Sequence, residues 1–319
     1  MRIEVLILIF FVLIFVISCV ICYIKNGNFS NFSNFSNSSN TNLFKENPVK
    51  IAAIINFPKV NVYYPNNNFE LQNTNHYNYH NGVLLANMIN SVLVSVQNCP
   101  KTYICNSKNG LKEYIVPPKC QLIKKLYISD DEQNKRFFGV ILKQNNNLII
   151  ALRGTATEYE WKIIDKQAFP PIYLKHGHFA AKGFYKIAME VYNQIIKTIK
   201  SENYNHLWIT GHSLGAATST ILTYLISDKI NKKITVYTFG CPRCLSELIS
   251  NKISNDVRIN FYRIVNIEDN VPPSVPSSTS IPIFKHVGNL INYSYFGKSS
   301  GENHGFYLKE YLRSDKYRI

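Results

Sequence analysis

The chain has 319 residues, 46% hydrophobic and 17% charged, which excludes a disordered chain and supplies enough apolar material for a large buried core. With 14 Gly and 13 Pro it is neither collagen-like nor low-complexity, and seven Cys are too sparse for a small disulfide-stapled scaffold. The net charge of +15 is scattered, as at Lys124-Lys125 and Lys232-Lys233, with no nucleic-acid-binding module, so it reads first as a solvated face with no dedicated partner, and a general attraction to anionic lipid surfaces fits in place of nucleic acid.

Val5 to Ile24 is an almost unbroken apolar run between Arg2 and Lys25, about the length of a membrane-spanning helix. A signal anchor over residues 1–24 is the first reading and a cleaved signal peptide the second. Val16-Ile17-Ser18-Cys19 also resembles a lipoprotein cleavage box, but apolar residues continue past Cys19. Each reading sends the remainder out of the cytosol.

Residues 25–47 follow as an Asn/Ser-rich stalk, with Asn28-Phe29-Ser30 repeated at Asn31 and Asn34. Each unit matches the Asn-x-Ser glycosylation acceptor, as does Asn292-Tyr293-Ser294. The main domain then occupies residues 48–319. Within it Cys99, Cys105 and Cys120 can supply one disulfide in an oxidising compartment. Cys241-Pro242-Arg243-Cys244 lacks the second pair or nearby His that a metal site needs.

From about residue 136 strands and helices alternate. Arg136–Lys143 and Leu148–Arg153 read as strands around the turn Asn145-Asn146-Asn147. Phe184 to Lys200 carries Ile187, Val191, Ile195 and Ile199 at amphipathic-helix spacing. Leu207–Thr210, Ile234–Phe239 and Ile259–Ile267 are further strands, and Ser213–Ser227 a helix. The order predicts an α/β domain with a mainly parallel central sheet flanked by helices, its site at the carboxyl ends of the strands.

Gly211-His212-Ser213-Leu214-Gly215 is a Gly-x-Ser-x-Gly turn between strand and helix, which exposes Ser213 above the sheet at a helix N-terminus. A serine hydroxyl needs a base, and in this architecture the chain order is Ser, then acid, then His. Asp269 lies just past the strand Ile259–Ile267, in a loop that Pro272-Pro273 should keep from becoming helical; its neighbour Glu268 is the second choice. His286 and His304 both follow. His304 lies in a loop before the apolar-periodic segment Phe306 to Leu312 and is preferred as the base. His286 lies in or beside a strand-like stretch, Ile281–Val287, that suits a packed role.

Together these segments resemble the class 3, or fungal-type, lipases of the α/β-hydrolase fold. The resemblance rests on Ala151-Leu152-Arg153-Gly154-Thr155, Lys182-Gly183-Phe184, Phe239-Gly240-Cys241-Pro242-Arg243, Asp269-Asn270-Val271-Pro272 and His286-Val287-Gly288. Ala181, Leu152, Cys244 and Asn289 depart from the family pattern without touching the Ser–Asp–His set. The resemblance implies a Ser213–Asp269–His304 triad and an oxyanion hole built by Thr155 and the N–H of Leu214. It also implies a short lid over about Ala156 to Ala168, whose Tyr159, Trp161, Ile163 and Ile164 alternate with Glu158, Glu160, Lys162 and Asp165. The function implied is a serine acyl-ester hydrolase acting on acylglycerols or related lipid esters at a membrane or lipid-droplet surface. Neither a cofactor nor a metal is implied. A phospholipase and a soluble-ester esterase are alternatives, and a catalytically silent, membrane-tethered binding module is an alternative of another class.

Overall fold

The structure is a computed structural model that describes residues 69–97, 114–129, 135–156, 160, 171–274 and 283–319. The apolar run Val5–Ile24, the stalk, Cys99, Cys105 and the lid positions Tyr159, Trp161 and Ile164 lie outside those residues. Among the described residues no helix is long and apolar enough to cross a membrane.

The chain enters through helix α1 (Tyr79–Gln97) and builds an antiparallel edge from strands β1 (Gln121–Ser129) and β2 (Lys135–Gln144). Strand β3 (Asn147–Leu152) completes the hairpin, with Asn145 in a left-handed conformation at the turn. A small pair, β4 (Ile172–Tyr173) and β5 (Phe179–Ala180), precedes helix α2 (Lys182–Ser201). Then come β6 (His206–His212), α3 (Leu214–Ser227), β7 (Lys233–Phe239), α4 (Glu247–Ser254) and β8 (Ile259–Asn266). The single turn α5 (Val271–Ser274), β9 (Asn289–Tyr293) and the short helix α6 (Ser300–Gly305) complete the order.

The seven strands of the main sheet run β1-β2-β3-β6-β7-β8-β9. Neighbours from β3 through β9 pair in parallel, and β1 and β2 pair antiparallel at one edge. This is the mainly parallel α/β sheet that the alternation predicts. Strands β3 and β6 are buried along their whole length. Parallel strands covered on both faces carry near-continuous apolar runs for that reason.

Helices cover both faces. On one side α2 buries Phe184, Ile187, Val191, Ile195 and Ile199 against α3 and the sheet. Helix α3 is buried almost all round, so its hydroxyls bond within the helix: Thr218, Thr220 and Thr223 donate to the carbonyls of Leu214, Ala216 and Ser219 at 2.8–2.9 Å. On the other side α1 packs with Phe306, Tyr307, Leu308, Tyr311 and Leu312. Periodicity misses α1 because it has no polar face. Its Asn87, Ser91 and Ser95 are buried and turn their donors to carbonyls four residues back. The strand β1 is a second element absent from the sequence reading.

Three expectations need correction. Pro272 and Pro273 lie within the helical turn Val271–Ser274, because proline is tolerated in the first turn, where no N–H partner is required. His304 lies in the last turn of α6 instead of a loop. Ile283–Val287 forms no strand; Lys285 makes one bridge to Leu245, and the edge strand begins at Asn289. Asn292 therefore lies half-buried on a strand, with Val265 opposite and its carbonyl accepting from the Ile319 N–H, a poor surroundings for glycosylation.

Candidate active site

The turn between β6 and α3 holds Ser213 at φ 54° and ψ −117°, a left-handed conformation that costs a residue with a Cβ about 1–3 kcal/mol. Surrounding packing fixes it. The Ser213 N–H donates to the Phe239 carbonyl at 2.9 Å, and the Ser213 carbonyl accepts from Ala217. The two flanking glycines serve close approach. A Cβ on Gly211 would fall 2.2 Å from the Gly215 carbonyl oxygen, and one on Gly215 would fall 2.4 Å from that of Arg153. Helix α3 thus rests directly on backbone. Gly211→Ala is expected to lower stability by about 1–3 kcal/mol, read as a lower melting temperature, because the obstructing atom is backbone and cannot swing away.

Asp269 follows β8 and is nearly fully buried. Its Oδ2 lies 2.8 Å from His304 Nδ1 and accepts a second hydrogen bond, also 2.8 Å, from the Tyr307 hydroxyl. Its Oδ1 accepts from the Val271 N–H at 2.9 Å. Burial alone would raise its pKa. His304, the Val271 amide and Tyr307 outweigh that and hold it below the ordinary carboxylate range. For Glu268, the alternative acid, the hydrogen bonds are backbone ones, its N–H to Asn266 Oδ1 and its carbonyl from Asn303 Nδ2, and it is Asp269 whose carboxylate meets His304.

Gly240, at the end of β7, brings the nucleophile turn and this pair together. It takes φ 58°, and a Cβ there would lie 2.7 Å from Tyr307 and 3.1 Å from both Asp269 Oδ2 and His304. His212 bonds the His304 carbonyl through Nε2 at 3.0 Å, with the two rings 4.6 Å apart. Burial and the neighbouring His304 lower the pKa of His212 to about 3, so it remains a neutral support.

His286 is separate from this group. Burial and the neighbouring Arg263 and Arg243 push its pKa down to about 3, and it bonds the Pro272 carbonyl. Tyr307 was not singled out by sequence, although its place three residues after His304 is a usable signal. It also accepts the Asn266 N–H at 2.9 Å. Tyr307→Phe removes both bonds and leaves a buried N–H unpaired, so a stability loss of about 1–3 kcal/mol is expected by thermal melting, together with slower turnover.

The loop after β3 lies against Ser213. A Cβ on Gly154 would fall 2.8 Å from His212 Nδ1 and 3.3 Å from Ser213 Cβ. Next to it Thr155 is buried, and its hydroxyl has no partner among the described residues. Leu214, the first residue of α3, is buried beside Ser213. Helix N-termini direct unsatisfied N–H groups and positive partial charge outward, which suits a developing oxyanion.

One lid-segment residue departs from expectation. Glu160, read as one of the charged positions alternating with apolar ones in the segment Ala156 to Ala168, is completely buried against Arg153. The Cys241 and Cys244 thiols are buried against α3, near Thr220 and the Ala217 carbonyl. Among the described residues no group of His, Cys, Asp and Glu could hold a metal ion.

Residues 149–279 match the family Lipase (class 3). A secreted mono- and diacylglycerol lipase of Malassezia restricta is 31% identical over 97 residues, 30% of this chain and 32% of that protein. A triacylglycerol lipase of Ricinus communis is 29% identical over 38% of this chain and 24% of its own length. Phospholipase A1-IIalpha of Arabidopsis thaliana is 30% identical over 37% of this chain and 30% of its own. The chain thus spans about a third or less of these relatives' length. The solved Rhizomucor miehei lipase propeptide complex has a TM-score of 0.49 at 20% identity, covering 70% of this chain and 75% of that one.

Proposed function

From the match of residues 149–279 to the class 3 lipase family, we propose that this chain is a serine acyl-ester hydrolase acting on acylglycerols or related lipid esters. Ser213 attacks the ester carbonyl, His304 takes its proton, and Asp269 holds the imidazole and stabilises its charged form. The N–H groups of Thr155 and Leu214 receive the oxyanion. His304 then protonates the departing alcohol, and water releases the acyl group by the same steps in reverse. The observation that carries this reading is the 2.8 Å bond between His304 Nδ1 and a buried Asp269, beside a strained serine turn. The unpartnered Thr155 hydroxyl, one residue after the Gly154 that lies against Ser213, supports the oxyanion assignment. The same assembled groups argue against a silent binding module.

The substrate belongs to an aggregated lipid phase in this reading. The net +15 favours an anionic membrane or lipid-droplet surface, and the run Val5–Ile24 together with secreted relatives favours a location outside the cytosol, anchored or released. The alternation of Tyr159, Trp161 and Ile164 with charged residues in the sequence supports a lid that opens at that surface. Phospholipids are the second reading, favoured by the charge and by the phospholipase A1 relative.

A chain-length panel of nitrophenyl esters, with triglyceride and anionic phospholipid emulsions beside it, tests the reading. Hydrolysis should rise abruptly once a short-chain ester passes its solubility limit. A smooth saturation curve would remove lid-gated activation, and no cleavage of any ester would remove the hydrolase.

A further inference from the structure

Just past strand β3 the chain buries a complete ion pair between Arg153 and Glu160. Arg153 Nη1 and Nη2 bond Glu160 Oε2 and Oε1 at 2.9 and 2.8 Å, and both side chains are 0% exposed. The pair also grips backbone. Arg153 Nε donates to the Phe137 carbonyl at 2.8 Å, and Nη1 donates to the Gly154 carbonyl at 2.7 Å. Glu160 Oε2 accepts the Ala156 N–H at 2.6 Å. The peptide groups on both sides of Thr155 are thereby captured by one ion pair.

A buried ion pair seldom stabilises a fold more than apolar residues of equal volume would. Stability therefore gives little reason for this one. What apolar side chains cannot do is donate to the Gly154 carbonyl while accepting the Ala156 N–H. The need for that grip is visible in the surroundings. Gly154 lies against His212 and Ser213, and the carbonyls of Leu152 and Arg153 lie against Gly215. A shift of the loop by a fraction of an ångström would misdirect Thr155 relative to the serine.

We propose that the Arg153–Glu160 pair is the positioning element of the oxyanion loop, fixing Thr155 for the transition state while Glu160 touches no substrate. This rests on the hydrolase reading above. It assigns Glu160 a role in kcat, because a donor aimed at the oxyanion acts mainly after substrate has bound.

The test compares wild type, Glu160→Gln, Glu160→Asp and the apolar double variant Arg153→Met/Glu160→Leu on a soluble nitrophenyl ester, with melting curves and fluorophosphonate labelling of Ser213. Glu160→Gln keeps the shape but turns an amide donor toward Arg153 or the Ala156 N–H. It should lower kcat on the order of 10²–10³-fold, the cost of one lost oxyanion donor, with KM nearly unchanged. Glu160→Asp should recover part of that loss. The double variant also takes partners from the Phe137 and Gly154 carbonyls and the Ala156 N–H, so it should melt lower; at temperatures where it stays folded it should still be slow, which a merely structural pair would not produce. Wild-type kcat in Glu160→Gln, or in a folded double variant, overturns the proposal while leaving the hydrolase intact. A wild-type protein that neither turns over esters nor labels at Ser213 overturns the hydrolase reading and this proposal with it.

Discussion

Ser213→Ala should lower kcat on the ester panel by on the order of 10⁶-fold, with the fold and melting temperature nearly unchanged. The size follows from its place in a unit. Without the hydroxyl no acyl-enzyme forms, and His304 and Asp269 have nothing to activate. Residual hydrolysis above water, about 10³–10⁴-fold, would come from the oxyanion donors and substrate positioning alone. Relief of the left-handed strain should be small, because alanine also carries a Cβ at φ 54°. Fluorophosphonate labelling should vanish with turnover. A variant that kept near-wild-type activity would end the proposed mechanism.

Asp269→Asn should cost about 10⁴-fold in kcat. Oδ2 accepts from both His304 Nδ1 and the Tyr307 hydroxyl, and Oδ1 accepts from the Val271 N–H. An amide has one acceptor oxygen for these donors. With its NH₂ toward His304 it would impose the wrong tautomer; with its NH₂ toward Val271 it would set two donors against each other. His286→Ala should leave kcat close to wild type, since that ring bonds the Pro272 carbonyl. Loss of activity in His286→Ala with His304→Ala unaffected would reverse the assignment.

The same substitution should change stability with pH. Asp269 is held below its ordinary range, so its stabilising contribution is present above the unfolded carboxylate pKa of about 3.9 and is lost as pH falls through the lower folded value. Acid titration of melting temperature should therefore flatten in Asp269→Asn below about pH 4.

Much of this site was legible in the sequence because its parts are local. The Gly211–Gly215 turn fits on a few residues, and the strand ahead of Ser213 and the helix behind it are set by short-range apolar pattern. Asp269 could be chosen by its position after β8. Helix α1 was not legible, since burial on every side removes the periodicity that would mark it. Prolines 272 and 273 misled because their effect depends on helix position, which composition does not carry.

By itself the sequence determined the α/β class, the serine at its turn and a short list of acids and bases, all consequences of neighbouring residues constraining one another. Tertiary structure alone decided which histidine meets Asp269, that Tyr307 shares its oxygen, and that Glu160 is buried on Arg153. Those contacts join the loop after β8 to α6 and the end of β3 to Glu160, and a charged side chain is inside or outside only once the rest of the chain has closed around it.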